Sequence, residues 1–390
     1  MPPQMKYKIS LYCPDSHILY DINTLNHKGV GGGITSRIRL AHALARLDHD
    51  VTVYVNCPYN KKIQGVRYIH HSQCKVIDTD VFIASTSGGE FDLGRLQTMQ
   101  IATRLKILML HGVPLPNHVN YPDFDFIYFP SNFVRAFFCN LVQLRQGYVF
   151  TSYHGVHNTY FKKHKTPRDH YNLVYIGHPE KGLEDALSIM RILRKSEPRF
   201  TLHVFGGHGL WGNTQIAIPP EPGLVDHGLI GQKKLIPLLQ KMSISLNLQA
   251  IQEGFGLAVC ESMRAGCIVL ASRVGAYPEV IRHGYNGFLI DGPHTDPATH
   301  EKSAQLILEL TQHPDFSDYL RQNAMHTPFS WLTIAKTWQG HWDWALSQAS
   351  TSNTFAPCSI CAGAVIPLAD GFHCVDCGNY QPSLPELIAS

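Results

Sequence analysis

Residues 252–290 read QEGFGLAVCESMRAGCIVLASRVGAYPEVIRHGYNGFLI, and this stretch decides how the chain is organised. Two glutamates, Glu253 and Glu261, have seven residues between them, with Gly254-Phe255-Gly256 directly after the first. A helix starting near Leu257 leaves Glu253 in the preceding loop and Glu261 about one turn inside. Both carboxylates then border a helix N-terminus, where free backbone N–H groups and the macrodipole favour an anion. Carboxylates that accept from sugar or ribose hydroxyls, beside N–H groups that hold a diphosphate, suit a nucleotide-sugar. The competing reading is an ordinary strand–loop–helix crossover with two solvated glutamates. Beyond the helix, Ala265-Gly266-Cys267 followed by Ile268-Val269-Leu270-Ala271-Ser272 has the form of a helix stopped by glycine and then a buried strand.

This block resembles the retaining glycosyltransferases of the large family that includes sucrose synthase and bacterial mannosyltransferases. The resemblance extends over roughly residues 7–345. It implies an α/β fold of two Rossmann-like domains facing across a cleft, the arrangement called GT-B. It also implies that Glu253 contacts hydroxyls of the donor sugar, that Glu261 contacts the ribose, and that the backbone at Phe255, Gly256 and Leu257 faces the phosphates.

Composition narrows the class of protein. The 390 residues leave room for two ordinary domains and a small appendage. Lys and Arg total 33 against 30 Asp and Glu, an excess too small to argue for nucleic acid as the main partner. No apolar run approaches the ~20 residues needed to span a bilayer. The N-terminal MPPQMKYKIS lacks a signal-peptide core, so a cytoplasmic location is expected. Peripheral contact with a membrane stays open.

The first half opens as a Rossmann-type unit. Residues 8–12 read as a strand, and Gly29-Val30-Gly31-Gly32-Gly33 opens a helical pattern through Ile34, Ile38, Ala41, Leu44 and Leu47. Residues 50–55 form a β-branched second strand. A glycine-rich turn also serves purely steric ends; the family resemblance makes Gly31, Gly32 and Gly33 donor-side candidates. Residues 81–85 and 106–110 read as further strands, the second running into His111. A histidine just past a strand's carboxyl end sits at the crevice rim of an α/β sheet. Its bland alternative is a bond to a local carbonyl, since the chain holds 23 histidines. The family often has a histidine in the corresponding loop, near the transferred sugar. Asp78-Thr79-Asp80 and Asp123-Phe124-Asp125 have the Asp-x-Asp spacing of metal-dependent glycosyltransferases of another fold, but each reads better as loop capping. Residues 126–131 look like a strand and 133–144 like a helix. Tyr153-His154-Gly155-Val156-His157-Asn158 resembles the family's hinge-side sequence, usually Asn-Gly-Val-Asp.

The polar, turn-rich stretch 164–169 marks the boundary between halves. The second half restarts with a strand at 172–176, then Gly177-His178-Pro179-Glu180-Lys181-Gly182, a long helix, and a strand at 201–205. Lys181 at the mouth of a helix is placed to neutralise a diphosphate, against the alternative of a solvated surface lysine. The family usually has Gly-Arg, a short insertion and Lys-Gly here. In this chain His178 stands where the arginine is expected, and the loop is shorter. A helix at 234–239 and a strand at 244–248 lead into the glutamate block. From Trp331 a final helical pattern carries a tryptophan stripe that reads as core packing, and by resemblance it returns to the first domain.

Past a loose stretch at 348–357, Cys358-Ser-Ile-Cys361 is followed after twelve residues by Cys374-Val-Asp-Cys377. Two such knuckles give four thiolates that suit tetrahedral, structural zinc in a ribbon-like module. The remaining six of the ten cysteines are scattered, which argues against a disulfide framework. Few basic residues accompany the ribbon.

The expected layout is therefore an acceptor-side domain over 1–160, a donor domain over 161–330, a returning helix over 331–347 and the zinc module over 348–390. The expected activity is transfer of a sugar from a UDP- or GDP-sugar to an acceptor hydroxyl with retention of configuration. Catalysis would need no metal or cofactor and would use Glu253, His111 and Lys181. A nucleotide-sugar epimerase or phosphorylase of the same fold is one alternative. The other is a non-catalytic scaffold whose working part is the ribbon.

Overall fold

The structure, a computed structural model, describes residues 5–86, 93–114, 118–141, 149–161, 168–326 and 329–348, with the backbone of 365–368, 371–374 and 380–381. Residues 162–167, most of the expected boundary segment, lie outside the described residues. So do Cys358, Cys361 and Cys377, whereas Cys374 closes a strand.

The described residues divide into two compact units. One gathers residues up to 20, 36–155 and from 331 onward; the other gathers 21–35 and 156–330.

The first unit is built on β1 (Lys8–Tyr12), followed in chain order by α1 (Ile22–His27), which groups with the second unit, and α2 (Gly32–Ala45). Then come β2 (Asp50–Val55), β3 (Lys61–Ile63), β4 (Val66–His70), β5 (Val76–Ser85), β6 (Gln100–Met109), β7 (Phe126–Phe129), α3 (Asn132–Leu141) and β8 (Val149–Thr151). The strands form one sheet in the order β3-β4-β2-β1-β5-β6-β7-β8. All its pairs are parallel except the β3–β4 hairpin. Both faces of such a sheet are covered, so its strands are apolar along their length; all four residues of β7 are buried.

The Asp78-Thr79-Asp80 expectation is corrected here. These residues lie within β5, not in a capping loop. Asp80 accepts from the Lys8 N–H (2.8 Å), and Thr79 Oγ1 donates to the Lys8 carbonyl (2.7 Å). Pairing with β6 extends the strand through polar residues that read as a turn when taken alone.

The second unit runs β9 (Asn172–Gly177), α4 (Leu183–Ser196), β10 (Thr201–Gly206), β11 (Leu224–Asp226), α5 (Gln232–Leu239) and β12 (Ile244–Asn247). It continues with α6 (Leu257–Arg264), β13 (Ile268–Ser272), α7 (Tyr277–Val280), β14 (Phe288–Ile290), α8 (Pro297–Gln312) and α9 (Pro314–Met325). Its sheet order is β11-β10-β9-β12-β13-β14, wholly parallel. The direction of winding reverses between β9 and β12, and ligands of such sheets bind outside the strand ends at that switch point. The core lies under α4 and α8, around Ile189, Met190, Leu202, Leu246, Leu270 and Ile307.

Helix α10 (Trp331–Gln348) returns to the first unit, with Trp338 and Trp342 wholly buried as core. Trp338 packs edge-on against Tyr128 at 4.6 Å. Beyond it β15 (Val365–Leu368), β16 (Gly371–Cys374) and β17 (Tyr380–Gln381) form a small antiparallel sheet.

The segment 21–35 departs from the expected layout, because it packs with the second unit. Asp21 caps α1 by accepting from the Asn23 and Thr24 N–H groups, Thr24 returns a bond to the Asp21 N–H, and α1 lies on α5.

Candidate functional site

The winding of the second unit places two loops side by side at its switch point. After β9 the chain makes one tight turn, 178–181, before α4. Tyr175 Oη donates to the His178 carbonyl (2.5 Å) and fixes this turn from below. At Gly182 φ is +96°, and a Cβ there would stand 1.7 Å from the Leu248 carbonyl oxygen. Only glycine lets the 178–182 turn touch the chain leaving β12.

That contact brings Lys181 to Glu253. Lys181 Nζ donates to Glu253 Oε2 at 2.8 Å, with both side chains about a quarter exposed. The carboxylate's loop is braced from behind: the Ala276 N–H donates to the Glu253 carbonyl (2.9 Å), and the Gly275 N–H to Gln252 Oε1 (2.8 Å). Helix α6 begins at Leu257, as its sequence indicates, and no side chain caps it. Its N-cap, Gly256, has φ +89°, and a Cβ there would lie 2.6 Å from the Tyr277 ring. The Tyr277 hydroxyl in turn accepts from Gln249 Nε2 (2.6 Å). The first N–H groups of α6 thus open beside a cation and a carboxylate, a combination suited to an anionic ligand that also carries hydroxyls. Phe255 is buried and packs edge-on to Phe329, so this residue offers backbone rather than side chain. Glu261, one turn into α6 and 8% exposed, accepts from Gln232 Nε2 at 3.0 Å.

His178 lies in the same turn but is held as a neutral ring. It is 2% exposed and stacks on Trp211 with centroids 3.7 Å apart and planes 9° off parallel. Its Nδ1 accepts from the Glu180 N–H (3.3 Å), and its buried Nε2 has no partner. Burial lowers its pKa, and the nearby His208 and Lys181 push the same way. The charge of the arginine expected here is therefore not reproduced; what remains is one N–H donor on a stacked ring. Trp211 also approaches Lys181, with Nζ 6.0 Å from the indole centroid.

Of the glycine candidates, Gly31 and Gly32 belong to the second unit with the residues above. A Cβ on Gly32 would lie 3.3 Å from Leu257 Cδ1, and one on Gly31 3.3 Å from the Leu210 carbonyl. Gly33 falls in the first turn of α2.

His111 belongs to the first unit, just past β6. Its Nδ1 stands 3.1 Å from Ser36 Oγ and 3.3 Å from His154 Nε2, and its Nε2 lies 2.8 Å from Ser85 Oγ. Burial, followed by His154 and Arg37, holds it well below the ordinary histidine pKa, and burial pushes His154 down to about 3. His111 is thus a neutral ring in a polar network of side chains, not a group bonded to a local carbonyl.

Trp211 and Gln232 were not found by sequence reasoning. Trp211 follows the strand-ending Gly206-Gly207, the position that carries loop chemistry in such folds, and that was a usable signal. Gln232 meets Glu261 across 29 residues of sequence, for which no local pattern exists. Among the described residues no group of three or more His, Cys, Asp or Glu side chains is arranged to hold a metal ion, and no helix is long and apolar enough to cross a membrane.

Residues 156–326 match the family described as Glycosyl transferases group 1. A glycogen synthase of Bordetella bronchiseptica is 34% identical over 99 residues, 23% of this chain and 19% of that protein. A D-inositol 3-phosphate glycosyltransferase of Streptomyces avermitilis is 33% identical over 108 residues, 27% of this chain and 22% of that one. The chain thus spans about a fifth of the length of these curated relatives. Among solved structures, a glycosyltransferase from Rickettsia africae superimposes with a TM-score of 0.61 at 13% identity, over 88% of this chain and 99% of its own. Anabaena HepE in complex with UDP-glucose does so with 0.58 at 14%, over 89% and 100%. At these identities the likeness is one of fold, and the fold is that of the GT-B glycosyltransferases.

Proposed function

We propose that this protein transfers a sugar from a nucleotide-sugar donor to an acceptor hydroxyl with retention of anomeric configuration. The observation that carries the reading is the Lys181–Glu253 pair, at 2.8 Å, set at the β9/β12 switch point beside the uncapped start of α6. In this reading the diphosphate lies across the α6 N-terminus. The Lys181 ammonium and the N–H groups near Phe255, Gly256 and Leu257 meet the negative charge that grows on it as the glycosidic bond breaks. Glu253, oriented by Lys181, accepts from hydroxyls of the donor sugar, and Glu261 from those of the ribose. No side chain serves as a covalent nucleophile; the departing phosphate assists the acceptor on the same face, and the protein contributes position and field. Because fixed protein charges answer the diphosphate, turnover proceeds without a divalent cation. The solved relative holding UDP-glucose makes UDP-sugars the first donors to test. Gly31, Gly32 and Gly33 line the approach to the phosphates, and His178 supplies a neutral donor. His111, partly exposed in the first unit, is the further catalytic candidate.

The tail holds a structural zinc on Cys358, Cys361, Cys374 and Cys377. The strand ending at Cys374 belongs to a three-stranded antiparallel sheet, a backbone form that fits a ribbon, and four thiolates fit tetrahedral zinc.

Incubation with UDP- and GDP-sugars and a panel of hydroxyl acceptors, read by mass spectrometry and by NMR of the anomeric proton, tests the reading. A new glycoside with the donor's anomeric configuration, formed with chelator present, is expected. An inverted product, an absolute need for a divalent cation, or epimerised donor without transfer overturns it.

A further inference from the structure

Helix α9 turns aromatic rings to solvent. Phe316 and Tyr319, one turn apart on it, are 44% and 49% exposed, and Tyr285, in the turn entering β14, is 44% exposed beside them. The Phe316 and Tyr319 rings lie 15° from parallel with centroids 6.3 Å apart, and Tyr285 stands upright to Tyr319, at 85° and 6.1 Å. The Tyr285 turn is fixed. Its N–H donates to the Arg282 carbonyl (3.0 Å), Asn286 Oδ1 accepts from the Arg282 N–H (2.7 Å), and Asn323 of α9 donates to the Tyr285 carbonyl (3.1 Å). The rings are therefore carried by preformed backbone, which leaves little ordering for a ligand to impose.

This surface is separate from the donor residues of the same unit. The loops at 178–182 and 252–257 leave the carboxyl ends of β9 and β12, whereas Tyr285 enters β14 at the amino ends of this wholly parallel sheet. Helix α9 abuts the far end of α6, where a Cβ on Gly266 would lie 3.3 Å from Met325 Sδ.

A group of exposed rings of this kind marks a binding surface, and area and charge decide its occupant. The three rings expose roughly 300 Å² between them, well short of the ~800 Å² that each partner gives to a stable protein interface. Helix α9 shows solvent two carboxylates, Asp315 and Asp318, while its one cation, Arg321, is buried and donates to Ser243 and Asp318. Arg282 is exposed nearby, so the charges offer no net positive field to phosphate or to an anionic bilayer. What fits is a small neutral ligand with apolar ring faces and a rim of hydroxyls, the chemistry of a pyranose. The Tyr285 and Tyr319 hydroxyls, which bond no other described residue, can meet that rim, and an open hollow lined by Gln312, His313 and Asp315 adjoins Phe316.

We propose that Phe316, Tyr319 and Tyr285 form a surface that holds a neutral oligosaccharide, apart from the donor residues. The proposal goes beyond the transfer reading and stands on residues which that reading does not use.

Calorimetry on the full chain with neutral hexasaccharides of glucose, mannose and N-acetylglucosamine, and separately with UDP, tests it. At least one hexasaccharide should bind. Tyr319→Ala and Phe316→Ala should each weaken that binding about fivefold, as expected for loss of one ring contact, and Tyr319→Phe should keep most of it. UDP affinity should be the same in all variants. No binding to any hexasaccharide, undiminished binding in both alanine variants, or a parallel loss of UDP affinity overturns the proposal. So does pelleting with phosphatidylglycerol vesicles, or a concentration-dependent mass, that Tyr319→Ala abolishes, since the occupant would then be a membrane or a second copy. Hexasaccharide binding through these rings in a protein that transfers no sugar would leave this surface standing and remove the transfer reading; transfer without such binding would do the reverse.

Discussion

Each unit has a doubly wound, largely parallel sheet, yet a charged pair from each differs sharply in exposure. The first unit encloses an ion pair and histidines among packed side chains. Arg37, fully enclosed, lies 3.6 Å from Asp15 and donates to the Tyr20 hydroxyl at 2.7 Å. His111, His154, Ser36 and Ser85 likewise bond among themselves, and His341 is buried against Tyr128 and Phe150. The second unit leaves Lys181 and Glu253 a quarter exposed beside an uncapped helix start. Charge that faces solvent at a switch point can serve a ligand; polar groups sealed in a core mainly fix one packing. The family match over 156–326 falls on the unit with the open charge.

That contrast predicts its largest effect in acid. Burial pushes His154 and His341 down to about 3, whereas an unfolded chain protonates its histidines near the ordinary 6.5. Between those values the unfolded state binds more protons, so stability is intact above pH 6.5 and is lost as pH falls toward 3. His111 adds to the same trend. The second unit has a histidine of this kind in His203, pushed to about 4, but it is only partly buried. Four of the five tryptophans, Trp331, Trp338, Trp342 and Trp344, lie in the first unit, so indole emission reports on it. On stepwise acidification that emission should report unfolding while hydrogen exchange still shows β9, β12 and β13 protected. Loss of both units together would break the comparison.

Next in size is Gly182→Ala. The added methyl must displace the Leu248 backbone in a left-handed conformation, which puts the cost at about 4 kcal/mol or more for the second unit. Urea unfolding followed by hydrogen exchange should show the loss confined to 156–330, with Trp338 emission unchanged at low urea.

The open pair itself predicts smaller, separable effects. Lys181→Ala should weaken diphosphate binding by about 1.5–3 kcal/mol, the range for a hydrogen bond to a charged group, and leave nucleoside binding nearly intact. Glu253→Ala should lower kcat more than diphosphate affinity, since its assigned partner is the sugar. Binding and turnover measured on both variants decide the matter; two normal variants would remove this pair from the site.

Much of this site could be read from the chain because its parts are local. The start of α6 at Leu257 follows from the Gly-Phe-Gly break, and Lys181 follows from a strand ended by Gly177. The contacts that bind those parts together could not be read. Gly182 against Leu248, Gly275 against Gln252 and Gln232 against Glu261 all join residues more than 20 apart. Helix α1 went unread because six residues are too few for an apolar period, although Asp21 and Thr24 stand at capping-box spacing. The start of β5 went unread because Asp78 and Asp80 look like a turn until β6 pairs alongside them. Local propensity was overruled there by pairing.

The smallest effect on donor binding, none, is expected from removing the tail, and it tests whether the division of labour between units is complete. Residues from 331 onward group with the first unit, and β15 lies beside α10. Every residue assigned to the donor from 156 onward precedes Ile290, and the remaining candidates lie at 31–33 and 111. Truncation after residue 348 should therefore leave nucleotide affinity unchanged while abolishing bound zinc, one per full-length chain. The module between the cysteine knuckles is too short to bury a core of its own, so metal binding and folding of the tail should be one event. Elemental analysis and nucleotide calorimetry on both forms give the answer. Zinc retained after truncation would refute Cys358, Cys361, Cys374 and Cys377 as its ligands. A drop in nucleotide affinity would show that the tail acts on the donor unit, and the separation drawn between the two halves would fail with it.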